Sequence, residues 1–190
     1  MTRLCEITVP VELRVRACAG DEAARQAIYA ALAPATFGLI RRLIGQRGAS
    51  EDVFQDTMMT FYERLAEFRE EAPLGAWLRQ IALSRCFMHL RSPWRRARLH
   101  LTTEADVAAP GALVPGIVPE ALDLERALAV LTPTARAVIW MYEVEGYSHA
   151  EIARAFGRTV SFSKSQLARA HARLRAWYEP QEARQPCTPI

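Results

Sequence analysis

The residues in this chain best suited to chemistry are cations, and their placement says more than their number. Between Ile152 and Tyr178 there are six Arg or Lys and no Asp or Glu, whereas Pro119 to Glu151 holds six acidic residues against two basic. A stretch cleared of carboxylates is what a surface facing a phosphate backbone requires. At about 100° per residue, Val160, Leu167 and Leu174 share one side of a helix, while Phe162, Ser165, Gln166, Arg169 and Arg173 fall on the other, with Lys164 on the flank. Arginine grips guanine with two hydrogen bonds, glutamine suits adenine, and serine or lysine holds phosphate. A solvated basic face on an ordinary helical bundle is the plainer alternative. Phe162 is the odd member: it either tucks sideways into the core or meets a thymine methyl.

The elements that must position these side chains are written just ahead of them. Ser148 with Glu151 three residues on makes an S-x-x-E capping box, and Ile152, Ala153 and Phe156 supply an inward stripe. Gly157 can take the left-handed backbone that ends this helix, and Thr159 can cap the next, which runs through Val160, Leu167, Leu174 and Trp177. A short helix, a glycine turn and a longer basic helix form the arrangement that lays a recognition helix in the DNA major groove. Capping box, turn glycine and charge split together favour nucleic-acid binding over the plainer reading.

Other chemistries find little support. Cys5, Cys18, Cys86 and Cys187 form no C-x-x-C pair, so neither a disulfide framework nor a zinc finger is expected. Cys86 and His89 could form half a metal site, but without a second pair core packing is favoured. No Ser-His-Asp grouping, H-E-x-x-H motif or glycine-rich phosphate loop is present, so no enzyme activity, cofactor or metal is expected. Glu6, Glu12 and Arg14 interrupt any signal-peptide pattern, and no run reads as long enough to span a membrane. A cytoplasmic protein without membrane insertion is expected. The net charge of +3 is modest, and the only lysine, Lys164, lies in the candidate recognition helix.

Helical spacing dominates the rest, which predicts an all-α fold. Asp21 can cap a helix through about Arg42, the Gly45-Gln46-Arg47-Gly48 turn ends it, and Ser50 is expected to cap the next. Phe54, Met58, Phe61, Leu65 and Phe68 recur at spacings of four and three, the mark of a buried seam. Beside them Asp52, Gln55, Asp56 and Met59 make a polar stripe with one apolar member, which could dock a partner or simply be solvated. Pro73 is placed to start a third helix, from Leu74 to about Arg91.

From Ala72 to Thr103 there are six arginines and no acid, interleaved with Trp77, Phe87 and Trp94, a mixture that suits nucleic acid. Trp77, however, fits a buried face with Leu74, Leu78 and Ile81. From Ser92 to Pro119 four prolines and two glycines mark a linker. The organisation expected is therefore two small helical domains, 1–92 and 119–179, joined by a flexible linker over 93–118 and followed by a frayed tail over 180–190. Thr132-Pro133 reads as a cap and first helical residue.

These segments together resemble the bacterial RNA polymerase sigma factors of the extracytoplasmic-function class. SEDVFQDTMMTFYERLAEF resembles the core-binding part of sigma region 2, and GAWLRQIALSRCFMHLR the part that opens and reads the −10 element. LTPTARAVIWMYEVEGYSHAEIARAFGRTVSFSKSQLARAHARLR resembles region 4, which reads the −35 element. The resemblance implies a region 2 bundle and a region 4 helix-turn-helix bundle in a promoter-specificity subunit that catalyses nothing itself. It implies that Asp52, Gln55, Asp56 and Met59 bind the clamp helices of the polymerase largest subunit. Arg79, Ser84, Arg85, Arg91 and Arg95 would hold the melted −10 strand. Ser161, Phe162, Ser163, Lys164, Ser165, Gln166, Arg169 and Arg173 would contact −35 duplex. An anti-sigma protein is a further implied partner.

Five positions depart from the family pattern. Ser84 stands where asparagine is usual and Met88 where aspartate is usual, Arg158 replaces an apolar residue, and Ser161-Phe162 replaces a common Gly-Thr. An altered −10 readout and an unusual −35 preference follow as expectations. Two rival readings remain beside this one: a helix-turn-helix regulator that works without polymerase, and a sigma homologue that has lost promoter melting.

Overall fold

Apolar residues at helical spacing make helices, and the computed structural model is all-α across the residues it describes, 4–92 and 119–182. The predicted linker over 93–118, Trp94, Arg95 and the end of the tail lie outside the described residues. Among those described, the chain forms two compact units, one of 4–41 with 46–89, the other of 42–45 with 90–92 and 119–182.

The first unit begins with a 3-10 turn at Leu4–Glu6 and a short helix α1 (Val11–Cys18), neither of which the spacing of apolar residues had announced. Helix α2 (Glu22–Ile44) starts where Asp21 caps it, its Oδ1 accepting the Ala24 N–H at 3.1 Å. That bond, with help from Arg16, holds the Asp21 carboxyl below its ordinary value. By length and composition α2 is apolar enough to cross a membrane, contrary to expectation. Its Ile28, Leu32, Ile40, Leu43 and Ile44 are instead fully or almost fully buried, which is how the central helix of a bundle meets the same test.

Helix α3 (Arg47–Glu63) corrects one predicted boundary. It starts three residues before Ser50, with Gln46 at the cap position, so only Gly45, at φ +84°, breaks the chain. Ser50 is buried and its hydroxyl donates back to the Gln46 carbonyl at 2.7 Å, satisfying itself inside the helix rather than capping it. The predicted seam is present. Phe61 is fully buried, Met58 and Leu65 nearly so, and Phe54 stacks edge-on with Tyr29 and Phe37 of α2. The α-helix ends before Leu65, which together with Glu67 bounds a second 3-10 turn. Tyr62 fastens α3 to α2 through its hydroxyl, which donates to the Arg25 carbonyl at 2.8 Å.

Helix α4 (Leu74–Arg91) follows Pro73 as expected. Trp77 lies against Phe61 and Phe68, at 5.7 and 5.4 Å between ring centroids, and Phe87 is buried. Both aromatics belong to packing, so base stacking by this pair is not supported. Gly75 faces the N-terminal segment so closely that a Cβ would overlap the Leu4 carbonyl oxygen. In the second unit α5 (Pro119–Ala129), α6 (Pro133–Ile139), a π-turn at Trp140–Val144, α7 (His149–Phe156) and α8 (Val160–Glu182) follow in order. Thr132 caps α6 through the Ala135 N–H at 3.3 Å, and α8 runs on past the expected end at Glu179.

Cys86 is fully buried, and burial pushes its thiol up to about 12, whereas Cys18 is exposed. A thiol reagent at pH 8 is expected to label Cys18 in the native protein and to reach Cys86 only on unfolding, read by peptide mass mapping. Gly75→Ala is expected to displace the Leu4–Ile7 segment or lower stability by about 1–3 kcal/mol, measured by urea denaturation with hydrogen exchange over that segment.

Candidate nucleic-acid interface

In the second unit the local sequence builds the helix-turn-helix as its caps dictate. Ser148 Oγ accepts the Glu151 N–H at 3.3 Å and the Glu151 carboxylate accepts the Ser148 N–H at 2.8 Å, closing the capping box. The Ser148 hydroxyl and amide hold the Glu151 carboxyl below its ordinary value. Gly157 takes the left-handed conformation at φ +61°. Its N–H donates to Arg154 O at 3.1 Å and that of Arg158 to Ala153 O at 2.8 Å, the paired reverse bonds of a Schellman ending. Thr159 Oγ1 then accepts the Phe162 N–H at 3.3 Å and α8 begins.

Helix α8 packs on α6 and α7. Its buried stripe is Ser163, Leu167 and Ala170, with Leu174 and Trp177 half-buried farther along. Two expectations need correction. Val160 was assigned to this stripe but is 43% exposed. Side chains tilt toward a helix's N-terminus, so the first residue reaches past the packed length. Ser163 was assigned to DNA but is fully buried, its Oγ 3.0 Å from His149 Nδ1. A buried hydroxyl needs a partner, and the ring at the start of α7 provides one.

The exposed side of α8 presents Ser161, Lys164, Ser165 and Arg169, spaced so that they share a face. Gln166 and Phe162 are half-buried at its margin. Phe162 has its ring 5.9 Å from that of Phe156, so the structure favours packing over an outward-facing ring. Arg173 is exposed, yet its Nη1 donates to the Val130 carbonyl at 3.2 Å, tying the guanidinium to its own unit. The unit also holds features that the sequence reading passed over. Arg136 is buried with Nε bonded to the Leu128 carbonyl at 2.9 Å, and Tyr142 stacks on His149 at 4.5 Å. Each contact spans the joint between successive elements, eight and seven residues apart, so it depends on how those elements fold against each other.

In the first unit α4 brings Gln80, Ser84, Met88 and Arg91 to one exposed face, with Met88 53% accessible. Arg79 and Arg85 are half-buried at its flanks, and Arg85 Nη2 donates to Thr60 Oγ1 at 2.5 Å. On α3 the residues Asp52, Gln55, Asp56 and Met59 are all exposed on one stripe opposite Val53, Thr57 and Phe61, and Met59 is 61% accessible. Among the described residues no group of three His, Cys, Asp or Glu converges as a metal site.

These two units match known families. The model of sigma-70 region 2 matches residues 28–96, and that of sigma-70 region 4 matches 121–174. The chain is 31% identical over 155 residues to the extracytoplasmic-function (ECF) RNA polymerase sigma factor SigL of Mycobacterium tuberculosis, covering 80% of this chain and 86% of SigL. It is 30% identical to the ECF sigma factor SigF of Caulobacter vibrioides over 69% of this chain and 72% of SigF. With the ECF sigma factor SigM of Mycobacterium tuberculosis the identity is 34% over 66% of this chain, and the match spans 62% of SigM. The fold is similar to that of the sigma factor RpoE crystallised with the anti-sigma factor NepR from Bartonella quintana. That likeness has a TM-score of 0.50 at 24% identity over 77% of this chain and 91% of that one. The chain belongs to the family of ECF RNA polymerase sigma factors.

Ser148→Ala is expected to destabilise the second unit by about 1 kcal/mol, read as a lowered thermal midpoint. Glu151 has a depressed carboxyl, so its contribution is present above the ordinary carboxylate value and is lost as pH falls through the lower folded one. The stability difference between wild type and Glu151→Gln should therefore shrink toward zero in acid, followed by denaturation at stepped pH.

Proposed function

We propose that the chain is a promoter-specificity subunit that recruits core RNA polymerase to promoters with −10 and −35 elements. The observation that carries this reading is the ordered pair of sigma regions, each with the surface its role needs. The face of α8 around Ser161, Lys164, Ser165 and Arg169 would enter the −35 major groove. Arginine and lysine there neutralise phosphate, while serine can bond to bases or backbone. Gln166 reaches the same groove from the margin. The α4 face of Ser84, Met88 and Arg91, flanked by Arg79 and Arg85, would meet the melted −10 strand. Met88 cannot accept a strong hydrogen bond, so base readout at that point would rest on shape and contact.

The stripe of Asp52, Gln55, Asp56 and Met59 would bind the polymerase core at the clamp helices of its largest subunit. Exposed carboxylates with an accessible methionine among them offer charge for steering and an apolar spot for docking. RpoE was crystallised with an anti-sigma factor, and we extend the same kind of partner to this chain. It would work in the cytoplasm, where core polymerase and chromosome are, with the chemistry of RNA synthesis left to the core.

Run-off transcription with purified core tests the reading. Asp52→Lys with Asp56→Lys is expected to remove core association and specific transcripts at least tenfold while leaving the fold intact by circular dichroism. Retained transcription in that variant would refute the docking role. A wild-type chain that neither binds core nor directs transcripts would refute the reading as a whole.

A further inference from the structure

One cation beside the recognition helix lies outside every surface assigned above. Arg158 occupies the turn between α7 and α8, at the second residue past the end of α7. In a Schellman ending this position commonly carries an apolar side chain that packs back on the helix. Here it carries an exposed guanidinium, which lies over the Phe162 ring at 5.9 Å from its centroid. The opposite end of that stack is also fixed, because Phe162 leans on the buried Phe156. Both backbones are held as well, Arg158 by its bond to Ala153 and Phe162 by the Thr159 cap.

We propose that Arg158 is a phosphate contact at the leading edge of the DNA-binding face, and that Phe162 is the positioning residue that holds it there. The inference rests on the sigma reading above and deepens it. A guanidinium over an aromatic ring keeps its N–H groups free in the ring-parallel plane, so stacking and a bidentate phosphate bond are compatible. Holding the side chain before DNA arrives lowers the ordering cost of the contact. The turn lies where the first helix of such a motif crosses the sugar-phosphate backbone and the second enters the groove, so a cation there meets phosphate before it meets a base edge. No Asp or Glu between Ile152 and Tyr178 competes for it in the local sequence. Phe162 thereby acquires a use that requires it to be half-buried rather than outward-facing.

The test uses the full chain assembled with core polymerase and a duplex carrying its −35 element, with affinity measured by fluorescence anisotropy across a salt series. Arg158→Ala should weaken binding several-fold and lower the slope of log K against log salt by about 0.9, the value for one phosphate contact on duplex DNA. Base preference in a −35 substitution series should stay unchanged. Arg158→Lys should restore the slope and only part of the affinity. Phe162→Leu, which keeps an apolar side chain against Phe156, should weaken binding with the slope retained, and should add nothing once Arg158 is alanine.

An Arg158→Ala variant with unchanged affinity and slope would overturn the proposal. A changed base preference would overturn it too, by making Arg158 a base reader. Additive losses from Phe162→Leu and Arg158→Ala would remove Phe162 from the positioning role. If wild-type holoenzyme showed no preference for the −35 duplex over a scrambled one, the sigma reading would fall first and the Arg158 assignment with it. Normal wild-type binding with an inert Arg158→Ala variant would sink the inference alone.

Discussion

A helix can display a row of cations in one direction only if its other side is anchored, and in α8 that anchor is short. Ser163, Leu167 and Ala170 are the residues that lie buried against the unit. Removing a leucine side chain such as Leu167 from water contributes roughly 2 kcal/mol, and the small Ala170 lets neighbouring backbones approach. Ser163 could have weakened this seam, since an unpaired buried hydroxyl is costly. Its bond to His149 turns the liability into a tie between the first and second helices of the motif. The outward direction of Lys164, Ser165 and Arg169 follows from those few contacts.

The first unit applies the same economy with the charge reversed. Its α3 buries Val53, Thr57, Met58 and Phe61 on one side, which leaves Asp52, Gln55 and Asp56 on the other. These carboxylates are exposed and so lie open to a partner. The polar residues that do enter this helix's interior are handled locally. Thr57 donates to the Val53 carbonyl at 2.6 Å, as Ser50 does to Gln46, so neither needs a partner from another helix. Acidic and basic surfaces thus sit on separate helices that are each stable for apolar reasons, and charge is left for recognition.

Joined in one chain, two such surfaces have consequences for affinity. In the proposed promoter complex, engaging one module would raise the effective concentration of the other at its own element, because both belong to one chain. Weak individual contacts would then suffice, which fits a proposed recognition helix that carries only a handful of exposed polar side chains. Phosphate contacts such as the one inferred for Arg158 set register and salt dependence, while sequence preference is left to the few side chains that reach base edges.

Local chemistry was readable along the chain wherever a residue acts on its immediate neighbours. The Asp21 cap, the Thr132-Pro133 start, the capping box at Ser148 and the left-handed Gly157 all involve groups within about one helical turn. The stripe spacing of α3 and the separation into acidic and basic segments were visible for the same reason, as both depend on order along the backbone. Burial at a particular position was not, because it depends on where a distant helix ends. Val160 is exposed although the periodicity suggested otherwise, Ser163 is enclosed although the family resemblance gave it to DNA, and α1 carried too weak an apolar pattern to announce itself. Ser163 meets His149 fourteen positions away, Arg173 meets Val130 forty-three away, and Trp77 meets Phe61 across two helices. Periodicity specifies which residues share a side, whereas the packing of neighbours chooses which atoms lose water, and the second depends on contacts that sequence order does not encode.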